Sequence, residues 1–121
     1  MIFKQPLLFM LTGLMLTGCV AHGKFRPAEP VSGNAYVTLY GMENCSACQK
    51  FKRALNKEKI PYTFKDINDA NAQSEMYSRM EKAGLDTGYY LYPVVDVNGE
   101  VASYPSVDDT IDRYRRSGIS R

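Results

Sequence analysis

Residues 36–67 read as strand, helix, strand, and no other stretch limits the fold of this chain so tightly. Residues 36–40 (YVTLY) are β-branched and aromatic, and Gly41 interrupts them. From Cys45 to Lys57 the apolar residues Ala47, Cys48, Phe51, Ala54 and Leu55 share one helical face, with Lys50, Lys52, Arg53 and Lys57 on the remainder. Pro61 opens a second β-rich run, residues 62–67. Two strands joined by a single helix lie parallel, with a right-handed crossover. Asp69 or Asn71 can then cap a second helix that turns Ala72, Met76, Met80 and Ala83 inward and stops at Gly84. After an aromatic-rich loop at 85–92, Pro93 leads into Val94-Val95-Asp96-Val97. Asn98-Gly99 is the strongest short hairpin signal, so residues 100–104 return antiparallel. A last helix starts at Ser106, whose hydroxyl can cap it while Asp109 reaches back. The order β-α-β-α-β-β-α predicts an α/β fold with a four-stranded mixed sheet flanked by three helices.

The first eighteen residues fall outside that pattern. Lys4 precedes the apolar run LLFMLTGLML at residues 7–16, which is too short for a bilayer span of about 20 residues but suits a secretory signal. Leu16-Thr17-Gly18-Cys19 resembles a bacterial lipobox. The resemblance implies cleavage after residue 18, lipid (thioether-linked diacylglycerol and an acyl group such as palmitate) on Cys19, and anchorage to the cell envelope. A plain signal peptide that happens to contain a cysteine is the alternative. Val20 is not the Asp of an inner-membrane retention signal, which in a Gram-negative cell favours the periplasmic side of the outer membrane. Residues 19–35, rich in Pro, Gly and small polar residues, read as a flexible tether with a reach of about 50 Å, and His22 within it as solvated. The folded domain is expected at 36–121. Fifteen Lys and Arg against 13 acids give a net charge of +2, which argues against a nucleic-acid partner. Nothing in the sequence calls for more than a monomer.

With Cys19 lipidated, two cysteines of three remain, as Cys45-Ser46-Ala47-Cys48 where a strand turns into a helix. Free backbone N–H groups at a helix's amino end favour a thiolate. Cys45 sits at that exposed end, whereas Cys48 belongs to the apolar stripe with Phe51 and Leu55. A small Cys45–Cys48 disulfide ring can form, with Cys45 as nucleophile and Cys48 as the shielded resolving thiol, the arrangement for thiol–disulfide exchange. Glu43 would oppose a thiolate on Cys45, and Lys50 and Lys52 would favour it unless they form a solvated helix face. A purely structural disulfide is the main alternative, although so short a loop restricts the unfolded chain little. Zinc needs four ligands and a c-type haem needs His where Gln49 stands, so no metal or cofactor is expected.

The elements Tyr40-Gly41-x-x-x-Cys45-x-x-Cys48, Tyr92-Pro93-Val94, Asn98-Gly99 and Asp108-Asp109-Thr110 resemble the glutaredoxin branch of the thioredoxin superfamily over residues 37–114. The resemblance implies a thioredoxin-like fold and a cis Tyr92-Pro93 bond facing the cysteines. It also implies substrate contacts at Tyr92, Pro93 and Val94, with Asp108 and Asp109 where the family holds the γ-glutamyl end of glutathione. Those two acids read equally well as residues favouring a helix amino end. Two departures disfavour glutathione and place a protein thiol or disulfide of the envelope first. Ser46-Ala47 replaces Pro-Tyr between the cysteines, and Pro105-Ser106 replaces a Gly-Gly pair, where proline lacks an N–H. Tyr89, Tyr90 and Tyr92 either floor a peptide groove or pack beneath a loop. Three other functions fit parts of the pattern: a non-catalytic protein-binding lipoprotein, an arsenate-reductase-like protein, and a Cu(I)-handling protein using both thiolates and Met42.

Overall fold

A computed structural model describes residues 22–119; the signal segment and Cys19 lie outside the described residues. Eight elements follow in order: β1 (Arg26–Pro27), β2 (Val37–Gly41), α1 (Ser46–Lys57), β3 (Thr63–Asp66), α2 (Ala70–Lys82), β4 (Val94–Val97), β5 (Glu100–Ser103) and α3 (Val107–Ile119). They build one mixed sheet of order β1-β5-β4-β2-β3. The β2–β3 pair is parallel, with Leu39 opposite Phe64, as a strand–helix–strand unit requires. β4 runs antiparallel between β2 and β5, with Leu39 opposite Val95 and Val95 opposite Ala102. The hairpin turn takes positive φ at both Asn98 (54°) and Gly99 (90°), the geometry that suits right-twisted strands.

Side-chain alternation along the strands divides the core into two layers. On one face Val37, Leu39, Val95, Val97 and Ala102 pack against Phe51 and Leu55 of α1 and Ile111 of α3. On the other, Tyr40, Val94 and Val101 meet Met76, Met80 and Ala83 from α2 and its end. Asp69 caps α2, its carboxylate accepting the Ala72 N–H at 2.9 Å. Ser106 likewise accepts the Asp109 N–H at 3.0 Å. The Asp109 carboxylate does not reach back as a capping box would; the Arg113 guanidinium takes it at 3.2 Å.

The sheet has five strands rather than four, because part of the expected tether is folded. Phe25 (9% exposed) joins the α1/α3 layer and Ala28 (4%) the α2 layer, while Arg26 and Pro27 between them pair with Val101 and Glu100. An ion pair buried inside the domain fastens the segment. Arg79 Nε donates to Asp96 Oδ2 at 2.8 Å, and its other nitrogens donate to the carbonyls of Ala28 (3.1 Å) and Glu29 (2.5 Å). The second Asp96 oxygen accepts the Tyr36 hydroxyl at 3.0 Å and the Gly99 N–H at 3.1 Å. Gly99 is needed twice over, since a Cβ there would also collide with the backbone of Glu29 and Pro30. No apolar period marks residues 22–30, and their partners lie fifty or more positions away. Composition therefore reads them as loose.

Candidate functional site

Strand β2 ends at Gly41 and α1 begins at Ser46, so the intervening turn delivers Cys45 to the helix as its N-cap, one position ahead of the first turn. Its extended backbone (φ −83°, ψ 117°) swings Sγ back over the helix end, where it accepts the Cys48 N–H at 3.3 Å. The Cys45 carbonyl accepts the Gln49 N–H at 3.0 Å and so starts the helical ladder. Both thiols are free, but their surroundings differ: Cys45 is half-buried and Cys48 fully buried. Burial pushes the Cys48 thiol up to about 12, and its contact with Cys45 adds to the shift. Room for that sulfur depends on Gly41, because any Cβ there would collide with Cys48 Sγ.

The charges expected around the pair sort themselves differently. Glu43 is held by Lys52 at 3.1 Å and by Gln49 Nε2, which donates to its carbonyl at 2.7 Å. Lys52 also lies 3.6 Å from the centre of the Phe64 ring. Lys52 thus offsets the glutamate beside it. Lys50 instead faces a cleft of about 670 Å³ between α1 and the β5–α3 turn. Ser46 and Ala47, the residues between the two cysteines, form one wall with Lys50 and Arg53; Tyr104, Pro105, Ser106 and Asp108 form the other, and His22 closes the rim.

Of the residues expected to bind substrate, Asp108 lines this cleft, whereas Asp109 is turned onto Arg113. The Tyr92-Pro93 bond is cis. Continuing the Tyr40–Val94 pairing sets Pro93 opposite Gly41, at the end of the sheet where the cysteines are. The side chains of Pro93 and Val94 are both buried, Val94 within the α2 layer. Of the two readings of the tyrosines, packing holds for Tyr90 and Tyr92. Their rings lie edge-to-face, and hydroxyls run from Tyr77 to Tyr90 (2.8 Å) to Tyr92 (3.2 Å) against the α2 layer. Tyr89 alone is open, at 79% exposed.

Tyr104, His22 and Arg53 were not singled out by sequence. Tyr104 has a positive φ of 49°, its N–H donates to the Pro93 carbonyl at 2.9 Å, and its own carbonyl accepts the Gly23 N–H at 3.0 Å. Its ring lies 5.2 Å from that of His22. A tyrosine in a left-handed turn before proline leaves no local signature. Arg53 was legible as part of the polar helix face, but not as a cleft wall. Among the described residues no three His, Cys, Asp or Glu side chains cluster to hold a metal, and no helix is long and apolar enough to cross a membrane.

An α/β/α sandwich with a Cys-x-x-Cys at the amino end of its first helix and a cis proline at the adjacent strand end defines a protein of the thioredoxin fold class. The glutaredoxin family model matches residues 37–102, more than half of the chain, and the chain belongs to the glutaredoxin family. Among solved structures it is similar to a glutaredoxin from Archaeoglobus fulgidus, with 21% identity and a TM-score of 0.50, covering 69% of this chain and 89% of that one. At that identity the likeness speaks for the fold. No curated protein matches the chain.

Proposed function

We propose that the protein is a thiol–disulfide oxidoreductase that uses Cys45 and Cys48, anchored to the cell envelope through lipid on Cys19 and acting on protein thiols or disulfides. The observation that carries the chemistry is the asymmetry of the pair: one sulfur stands at a helix end with a backbone N–H aimed at it, and the other is sealed beneath it. Cys45 is the sulfur a substrate can reach, and as the thiolate it is the attacking species in exchange. In the reducing direction the Cys45 thiolate bonds to one sulfur of a substrate disulfide, and the other leaves as a thiolate and takes a proton. Cys48 then gives up its proton and attacks Cys45, and the second substrate sulfur leaves as a thiolate. Two electrons and the Cys48 proton pass from the pair to the substrate, and the second proton comes from the solvent that took the Cys45 proton on ionisation. The oxidising direction is the reverse. Sulfur alone carries these steps, so no cofactor is required.

Membership of the family supports the reaction class, and Pro105 in place of a backbone donor supports protein substrates over glutathione. The LTGC sequence supports the anchor and with it an envelope location. The test uses the full chain as Cys19→Ser, to leave one reactive pair, pre-reduced and mixed with a disulfide-bonded protein. We expect Cys45→Ser to abolish exchange and Cys48→Ser to accumulate a covalent adduct through Cys45, seen by mass. Unchanged exchange by Cys45→Ser would overturn the proposal.

A further inference from the structure

We infer that the cleft beside the cysteine pair works against the bilayer surface, which directs the protein to thiols and disulfides in membrane-proximal segments of other anchored proteins. The inference rests on the reading that Cys19 carries lipid. It follows from where the chain meets the domain. His22 forms the rim of the cleft. Gly23 is tied to the Tyr104 carbonyl at 3.0 Å and approaches Ser103 so closely that a Cβ would collide with its carbonyl. Phe25 is buried, and Arg79 clamps the carbonyls of Ala28 and Glu29. Residues that could have served as a long tether are therefore fixed to the protein.

Only three peptide steps separate Cys19 from His22, a reach of at most about 10 Å. The edge of the cleft at His22 cannot stand further than that from the lipidated residue, whatever path those steps take. Charge points the same way. Lys50 and Arg53 are exposed on the cleft wall and enter no ion pair among the described residues, and Asp108 is the one acid on the lining. Basic side chains close to a bilayer are drawn to anionic headgroups.

The experiment places the pre-reduced, lipidated chain in vesicles of phosphatidylethanolamine and phosphatidylglycerol and follows a single turnover. A disulfide-bonded peptide is attached to a lipid headgroup either directly or through a rigid helical spacer of about 30 Å, and is also offered free in solution. We expect the directly attached peptide to be reduced about tenfold faster than the raised one at equal density. Inserting a Gly/Ser run of about fifteen residues between Val20 and Ala21 should abolish that preference while leaving the rate on free peptide unchanged. Equal rates on the two attached peptides, or an insertion without effect, would overturn the inference and leave anchoring and redox chemistry standing. The mass of the chain reads the lipid independently; a chain without it defeats the anchor and this inference together. Failure of the pre-reduced chain to reduce the free peptide, together with failure of the oxidised chain to oxidise its dithiol form, defeats the redox reading and this inference with it.

Discussion

One buried thiol should open this molecule's response to alkali. Cys48 holds its proton up to about pH 12 because burial disfavours the charged form, whereas in the unfolded chain a cysteine ionises near the ordinary value of about 8.5. The folded, reduced protein therefore binds more protons than the unfolded chain across that interval. Stability from this group is complete below about pH 8.5 and declines as pH rises towards 12, by at most about 1.4 kcal/mol per unit. Between about pH 8.5 and 10, urea midpoints under reducing conditions should decline more steeply in the native sequence than in Cys48→Ala; above that, tyrosines whose ionisation burial disfavours, Tyr40 foremost, add a decline common to both. Displacement by Cys48 should accelerate over the same range. Gly41 belongs to this scale too. Gly41→Ala directs a methyl at Cys48 Sγ, so we expect a loss of about 1–3 kcal/mol and slower release of the mixed disulfide, read by stopped-flow.

At the level of elements, β1 depends on a guanidinium that belongs to α2. Arg79 and Asp96 are 6% and 2% exposed at their side chains, and removing one charge strands the other. Arg79→Met should destabilise the domain by about 3–5 kcal/mol. It should also raise hydrogen exchange at residues 22–30 more than in the β2–β3 pair. Equal protection at residues 22–30 in both proteins would show that Phe25 and Ala28 hold β1 without the clamp. The elements most readable from sequence are those whose signals are local: the stripe of α1, the Asp69 and Ser106 caps, the Asn98-Gly99 turn. β1 was not readable because two isolated apolar residues carry no period, and the ion pair that fixes them joins positions far apart in the chain. The cleft was half readable for the same reason. Asp108 on its lining stood out by motif, as did the cysteines that flank Ser46 and Ala47, whereas His22 enters it only through the folded amino-terminal segment and Tyr104 through a left-handed turn tied to the Pro93 carbonyl.

Across the whole molecule, the α1/α3 layer joins both halves of the chain, and the cysteine pair rests on it. Leu55 is fully buried there beside Phe51 and Ile111. Leu55→Ala should cost about 2–5 kcal/mol, measurable as a lower urea midpoint with little change in slope. Activity per folded molecule should survive, because Leu55 lies two helical turns from Cys48 and lines no part of the cleft.

The short pairing of Arg26 and Pro27 with Val101 and Glu100 has a consequence for how the protein behaves in company. Without it, Glu100–Ser103 becomes the outermost strand, and its unpaired amides and carbonyls invite a strand from a neighbouring chain. A recombinant protein started at Tyr36, where sequence alone would set the boundary, should self-associate on size exclusion, while one started at His22 should not. Those few amino-terminal residues thus act as a guard against aggregation, at the margin most open to it.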